Sequence, residues 1–257
     1  MAKLIVLGSC AGTEPMPNRQ HTSLVIEAGG SIYWFDAGEG CSRTAHLMGV
    51  DLLRVRAIFI SHPHMDHIGG LANLLWTIRK LAVRTKTNIT AGRIDLFYPE
   101  LRSWEGMLQM LQYTEGNFSL PFALEAMRPC DGLVYEDENI RVIGMHNGHM
   151  ADSDAGEHVS YSYRIETQEK SVVFSGDLRA YTEIEPLIGK GCDYLLMETG
   201  HHSVKAICDF SDAQPVGQLI FVHHGREMLE EGAQVHDALA ACTRVPLISW
   251  DGMMLEL

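Results

Sequence analysis

The sequence predicts an α/β fold, on two observations. Short β-branched or aromatic runs recur along the whole chain, and between some of them apolar residues return every three or four positions. The runs that read as strands are Lys3–Gly8, Ser23–Glu27, Ile32–Asp36, Arg56–Ile60, Ile94–Tyr98, Ile140–Met145, Ser160–Glu166, Ser171–Ser175, Tyr194–Met197 and Leu219–Val222. The helical patterns are Cys41–Met48, Gly70–Val83, Glu100–Tyr113, Val204–Phe210 and Arg226–Cys242. The order is mixed, with hairpin-like strand pairs early and in the middle and β-α-β at the end.

Composition sets the outer bounds. With 46% hydrophobic and 21% charged residues in 257, the chain is ordinary globular material, and disordered or fibrous roles drop out. No repeat, low-complexity tract or Pro/Gly/Ser-rich linker interrupts it, which predicts one domain over residues 1–257. No apolar run reaches the ~18–20 residues of a membrane span, and the opening MAKLIVLGSCAG lacks the pattern of a secretory leader. The expectation is a soluble cytoplasmic protein with no membrane partner. The six cysteines are scattered without CxxC spacing, so they are expected to be reduced, mostly buried thiols. A net charge of −13 argues against tight, sequence-blind binding to nucleic acid.

Where the strands end carries more information than where they lie. Five apolar runs finish in metal-binding or proton-moving residues: WFDAG at Asp36, AIFISHPHMDH from His62, RVIGMHNGH at His149, VVFSGD at Asp177 and LIFVHH at His223. Functional groups gather beyond strand carboxyl ends in α/β sheets, because rigid strands present the loops that leave them. The densest segment is Ser61-His62-Pro63-His64-Met65-Asp66-His67. As a packing solution it is costly, since each buried imidazole or carboxylate needs a partner; a metal supplies one. Pro63 keeps the segment out of a helix, so that His62 and His64, two apart, point the same way toward one ion. Asp66 and His67, beyond a turn, address a second.

With these motifs in order the sequence resembles the metallo-β-lactamase superfamily over nearly its whole length. The resemblance implies an αββα four-layer sandwich. It also implies one metal held by His62, His64 and His149, another by Asp66, His67 and His223, Asp177 bridging both, and Asp36 orienting the histidine loop. Some positions have rivals: His146 for His149, His224 for His223, and a plain turn aspartate for Asp177. Two divalent ions about 3.5–4 Å apart generate a hydroxide at neutral pH and stabilise charge on the attacked group, so hydrolysis follows. Histidine-rich ligation with carboxylates fits zinc best, with manganese or iron as alternatives.

Within the superfamily, LGSCAGTEPMPNRQHTSLVIE, DYLLMETGHHSVKAICDF and the closing SWDGMMLEL resemble the ribonuclease Z and phosphodiesterase branch, with Cys10 standing where that branch usually has a small residue. The resemblance implies a phosphodiesterase acting on a small nucleotide or an RNA end, and a possible homodimer. His202 aligns with the branch's helix-opening histidine and is the candidate general acid, with His201 as the alternative. Glu198 is the carboxylate to hold it, and Asp66 accepts a hydrogen bond from the attacking water. The tRNA-gripping arm of ribonuclease Z is absent between His149 and Asp177.

The extra length lies instead at about 76–139, read as an inserted helical cover with Trp104, Met107 and Met110 as core. Arg79, Lys80, Arg84, Lys86 and Arg93 occur without an acid between His67 and Ile94, either as an electropositive wall beside the metals or as a solvated face. Two other functions compete: hydrolysis of a carboxylic ester, thioester or lactone at the same metals, and a non-catalytic binding protein. Oxidoreductase use of such a site generally needs a partner domain for an electron carrier, which the chain has no room for.

Overall fold

A computed structural model describes residues 2–12, 16–229, 233–240 and 242–257. Its strands are β1 (Lys3–Gly8), β2 (Ser23–Ala28), β3 (Ser31–Phe35), β4 (Val55–Phe59), β5 (Arg93–Phe97), β6 (Ala123–Met127), β7 (Gly132–Glu136), β8 (Ile140–His146), β9 (Tyr161–Thr167), β10 (Ser171–Phe174), β11 (Cys192–Glu198), β12 (Val216–Val222), β13 (Leu247–Ile248) and β14 (Met254–Glu256). The helices are α1 (Cys41–Leu47), α2 (Met65–Ile68), α3 (Leu71–Thr85), α4 (Leu101–Gln112), α5 (Glu185–Ile188), α6 (Val204–Asp212), α7 (Arg226–Leu229) and α8 (Ala233–Ala240).

Two seven-stranded sheets form, in the orders β14-β1-β2-β3-β4-β5-β6 and β13-β12-β11-β10-β9-β8-β7. Alternation along each strand explains why they stack. In β1, Leu4 and Val6 enter the layer between the sheets, while Ile5 and Leu7 face helices α1 and α3. In β12, Ile220 and Val222 point to the same central layer, while Leu219 and Phe221 meet α5 and α6. Both faces of each sheet are therefore apolar, and three buried layers separate helix, sheet, sheet and helix. At about 25 cal/mol per Å² such burial is the main term holding the layers together. Phe59 stacks between Phe35 and Phe97 at centroid distances of 4.8 and 4.9 Å in the middle layer.

β3 to β6 run parallel, as do β10 to β13, whereas β1 to β3 and β7 to β10 are antiparallel. The carboxyl ends of β3, β4, β8, β10, β11 and β12 consequently meet at one end of the sandwich. Bonds that tie the sheets together there include the Tyr161 N–H donating to Ser61 O at 2.9 Å and the Tyr163 hydroxyl donating to Ile60 O at 2.8 Å.

Several expectations need correction. The stretch 76–139 holds one complete helix, α4, but also β5 and β6, which extend the first sheet, and β7, which edges the second. β6 reads ALEAM, a helix-like composition overridden by parallel pairing to β5. Trp104 is buried and Met107 packs on the core, but Met110 is 56% exposed. The segment after Pro63 closes into the single helical turn α2. The helix expected over Arg226–Cys242 is present as α7 and α8, with residues 230–232 and 241 outside the described set, as is Pro15 of the opening motif. The cysteines are not all thiols, because Cys208 of α6 and Cys242 form a disulfide across a separation of 34 residues. Chain spacing carries no signal for a pair that folding brings to a Cα distance of 5.6 Å. Cys10, Cys41 and Cys192 are buried thiols, and Cys130 is exposed. Among the described residues no helix is long and apolar enough to cross a membrane.

Candidate metal centre

The centre is built from the loops leaving those strand ends. Asp36 follows β3 with φ 54°, fully buried. Its Oδ1 accepts from the Ser61 N–H at 2.6 Å, and its Oδ2 accepts from the Ser61 hydroxyl at 2.7 Å and lies 2.7 Å from His67 Nδ1. This carboxylate thus clamps the histidine loop to β3. With Nδ1 engaged, His67 offers Nε2 to the cavity.

Two groups of ligand-type atoms result. His62 Nε2 lies 2.9 Å from His64 Nδ1, which lies 3.2 Å from His149 Nε2; Asp177 Oδ2 is 3.6 Å from both His62 Nε2 and His149 Nε2. In the other, His67 Nε2 is 3.4 Å from Asp66 Oδ2 and from Asp177 Oδ1, and His223 Nε2 is 3.2 Å from Asp177 Oδ1. Within each group the ligand atoms all lie within 4.8 Å of one another, and Asp177 belongs to both. The extended backbone of His64 (φ −67°, ψ 148°) lets it face the same way as His62. Thr22 Oγ1, 2.7 Å from His223 Nδ1, fixes the ring of His223.

These residues fit divalent cations on observations internal to the fold. Among the described residues, His67 Nε2 and Asp177 Oδ1 are buried without a hydrogen-bond partner, a state that is costly unless another group satisfies them. Gly12 lies against the same spot: a Cβ there would sit 2.9 Å from Asp66 Oδ2. Protonation follows the environment. Burial, aided by neighbouring His67, pushes His62 well below the usual imidazole range. Burial alone would raise Asp177, yet His223 and His67 hold it well below the usual carboxylate range. Asp66 likewise falls to about 2, because adjacent His67 outweighs its burial. His67 moves the other way: burial opposes its charge, but Asp177 and Asp36 outweigh burial and raise it well above 6.5. A metal ion at these atoms would compete with protons for them, since imidazole and carboxylate ligands bind deprotonated.

The rivals separate by position. His146 places Nδ1 2.7 Å from Asp131 Oδ2 and stacks on His158 at 3.8 Å, on the surface. His224 is enclosed, with Nδ1 3.1 Å from Thr199 Oγ1 and Nε2 2.9 Å from Ser249 O, and burial lowers its pKa to about 4. His202 is set back from the cavity, its Nε2 3.6 Å from Glu198 Oε1. Its Nε2 lies 3.1 Å from Leu178 O and its ring packs edge-on against Tyr181. His201 lines the cavity instead, its Nδ1 3.1 Å from Glu198 Oε1 and 3.8 Å from Asp177 Oδ2. The contact with Glu198 raises its pKa. Glu198 is buried and also accepts from the N–H groups of Leu178, Gly200 and His201.

The cavity over this centre measures about 500 Å³. None of Arg79, Lys80, Arg84, Lys86 and Arg93 lines it. Arg79 donates to Ser119 O, Lys80 sits over Trp76, and Arg93 pairs with Asp95 and Glu125, so the solvated-face reading holds for this stretch. Sequence reasoning missed Thr22, Gly12 and Arg226. The glycine signal was present beside Cys10, but neither Thr22 nor Arg226 stands in a pattern that singles it out.

Comparison with known proteins gives three lines. The family model described as Anti-Pycsar protein Apyc1 matches residues 2–208. A ribonuclease Z of Treponema pallidum is 30% identical over 148 residues, 52% of this chain and 47% of that protein, so the chain spans about half the length of this curated relative. Among solved structures, the short form of human tRNase Z gives a TM-score of 0.74 at 18% identity, covering 99% of this chain and 98% of that one. The metallo-β-lactamase fold protein YhfI from Bacillus subtilis gives 0.75 at 17% identity, covering 100% of each.

Proposed function

The chain belongs to the Anti-Pycsar protein Apyc1 family and has the metallo-β-lactamase fold, and from that premise we propose that it is a metal-dependent phosphodiesterase acting on a small nucleotide. The observation that carries this reading is the pair of His/Asp groups sharing Asp177, with two buried atoms lacking hydrogen bonds, beneath a 500 Å³ cavity. The ribonuclease Z relative supports phosphodiester chemistry. A cavity of this size suits a nucleotide rather than a folded RNA, and no long arm stands between His149 and Asp177 to hold one.

His62, His64 and His149 with Asp177 would hold one ion, and Asp66, His67 and His223 with Asp177 the other, zinc being the best match to this donor set. Two such cations supply an activated water and neutralise charge on the phosphoryl group. The protein's own groups do the rest. Asp36 fixes His67, and Thr22 fixes His223, so the ligand atoms are placed before substrate arrives. Asp66 accepts a hydrogen bond from the attacking water. As the water oxygen, having released one proton to solvent, bonds to phosphorus, the bond from phosphorus to the leaving oxygen breaks. His201, held through Nδ1 by Glu198, gives its proton to the leaving alkoxide from Nε2. The products are a phosphomonoester and an alcohol.

Metal analysis of the purified chain, with rates on bis(p-nitrophenyl) phosphate and on a p-nitrophenyl carboxylic ester, tests the reading. Near two metals per chain with diester turnover is the expected result. Two metals with only ester turnover would replace the reading with carbonyl hydrolysis, and a chain that takes up no metal would leave a binding protein.

A further inference from the structure

The loop after β12 places one more group on the cavity wall. Gly225 follows His223 and His224 and lies against the turn after β11: a Cβ there would sit 3.1 Å from Gly200 Cα and 3.2 Å from Thr199 O. A side chain there would be crowded, so glycine suits the close approach of the two turns, and Arg226, next in the chain, lines the cavity. Among the described residues Arg226 is the one Lys or Arg lining it; the other ionisable side chains there are the histidines and aspartates already assigned.

We propose that Arg226 is the residue that selects an anionic substrate, its guanidinium holding the phosphate oxygens that point away from the metal ligands. The planar fork of a guanidinium donates two parallel N–H bonds to a phosphate. On a chain of net charge −13, with the basic stretch 79–93 away from the cavity, an anion meets few other fixed cations on approach. Beside the cations, Arg226 is therefore the protein's own contribution to discrimination against a neutral carboxylic ester. For its substrate class the assignment rests on the phosphodiester reading, but its test does not.

The test uses the full chain reconstituted with zinc, in wild-type, Arg226→Lys and Arg226→Gln forms, with inorganic phosphate titrated by calorimetry. Arg226→Gln is expected to weaken phosphate binding about tenfold or more, equivalent to about 1.4 kcal/mol, with Arg226→Lys between. On bis(p-nitrophenyl) phosphate the Gln variant raises KM more than it lowers kcat, while its rate on p-nitrophenyl acetate and its metal content stay at wild-type values. Equal phosphate affinity in wild type and Arg226→Gln overturns the assignment, as does an equal loss on the diester and the neutral ester, or no phosphate binding by the wild type. If the wild type does not turn over the diester yet phosphate binding still depends on Arg226, the phosphodiester reading falls and the anion anchor stands.

Discussion

The two ends of the sandwich each bury a charged cluster, and they resolve it in opposite ways. At the end away from the metal centre, Asp137 is 5% exposed. Its Oδ2 accepts from the hydroxyls of Tyr33 and Tyr135, each at 2.7 Å, and pairs with Arg56 at 3.1 Å. Its Oδ1 takes the N–H groups of Asn139 and Ile140. That carboxylate is saturated by its own chain. At the other end Asp177, more deeply buried, has an oxygen with no hydrogen bond, which faces His67 Nε2 at 3.4 Å and His223 Nε2 at 3.2 Å. A buried acid that folding satisfies holds structure together, and one that folding leaves unsatisfied marks a place for a cation.

Breaking this contrast should have its largest effect at the centre. Asp177→Ala removes the residue common to both groups and is expected to lower metal content and to cost a factor of about 10³ or more in kcat/KM, roughly 4 kcal/mol. Metal analysis beside steady-state rates checks it, and retention of both metals would refute the shared role. Removal of the cations by a chelator should lower the melting midpoint of the wild type and leave that of Asp177→Ala nearly unmoved.

Lesions elsewhere should cost stability and spare the centre. Cys208→Ser opens the link from α6 to Cys242, with an expected loss of about 2–4 kcal/mol in denaturant unfolding at unchanged metal content.

Asp137→Ala strips the acceptor from two tyrosines and is expected to cost about 2–3 kcal/mol at neutral pH. Burial would raise the pKa of Asp137, but the hydrogen bond from Tyr33 and its other donors outweigh it and hold the value below 3.8. The unfolded chain therefore binds this proton more readily than the folded one. The stabilisation is fully present above the unfolded value of about 3.9 and is lost as pH falls through the lower folded value. The gap between wild type and Asp137→Ala in urea unfolding should shrink on going from pH 7 to pH 3; a gap that grows would show that the carboxylate is not what stabilises this end.

The smallest effect is expected from the exposed basic residues. Arg84→Ala and Lys86→Ala should change stability by less than about 0.5 kcal/mol and leave diester turnover unchanged. A clear rise in KM would bring that stretch back to the cavity.

Local pattern determined much of this protein. Short, near-continuous apolar runs rich in β-branched and aromatic residues specified β1, β3, β4 and β12 as strands buried on both faces, because that composition acts within a few neighbours along the chain. The same local logic made Asp36, His62, His64, Asp66 and His67 legible, since strand, proline and histidine spacing act within a few residues. Tertiary structure decided what the motifs left open. His223 and His224 are adjacent, yet one ring meets Asp177 across 46 residues of chain and the other meets Ser249. His201 faces the cavity and His202 the Leu178 carbonyl, because the turn after β11 sends consecutive side chains to opposite sides. The Cys208–Cys242 bond and the arrival of Arg226 on the wall of the cavity with His64, Asp66, Asp177 and His223 belong to the same class. Each depends on which distant segment lies opposite, and that is set by how the sheets and helices pack.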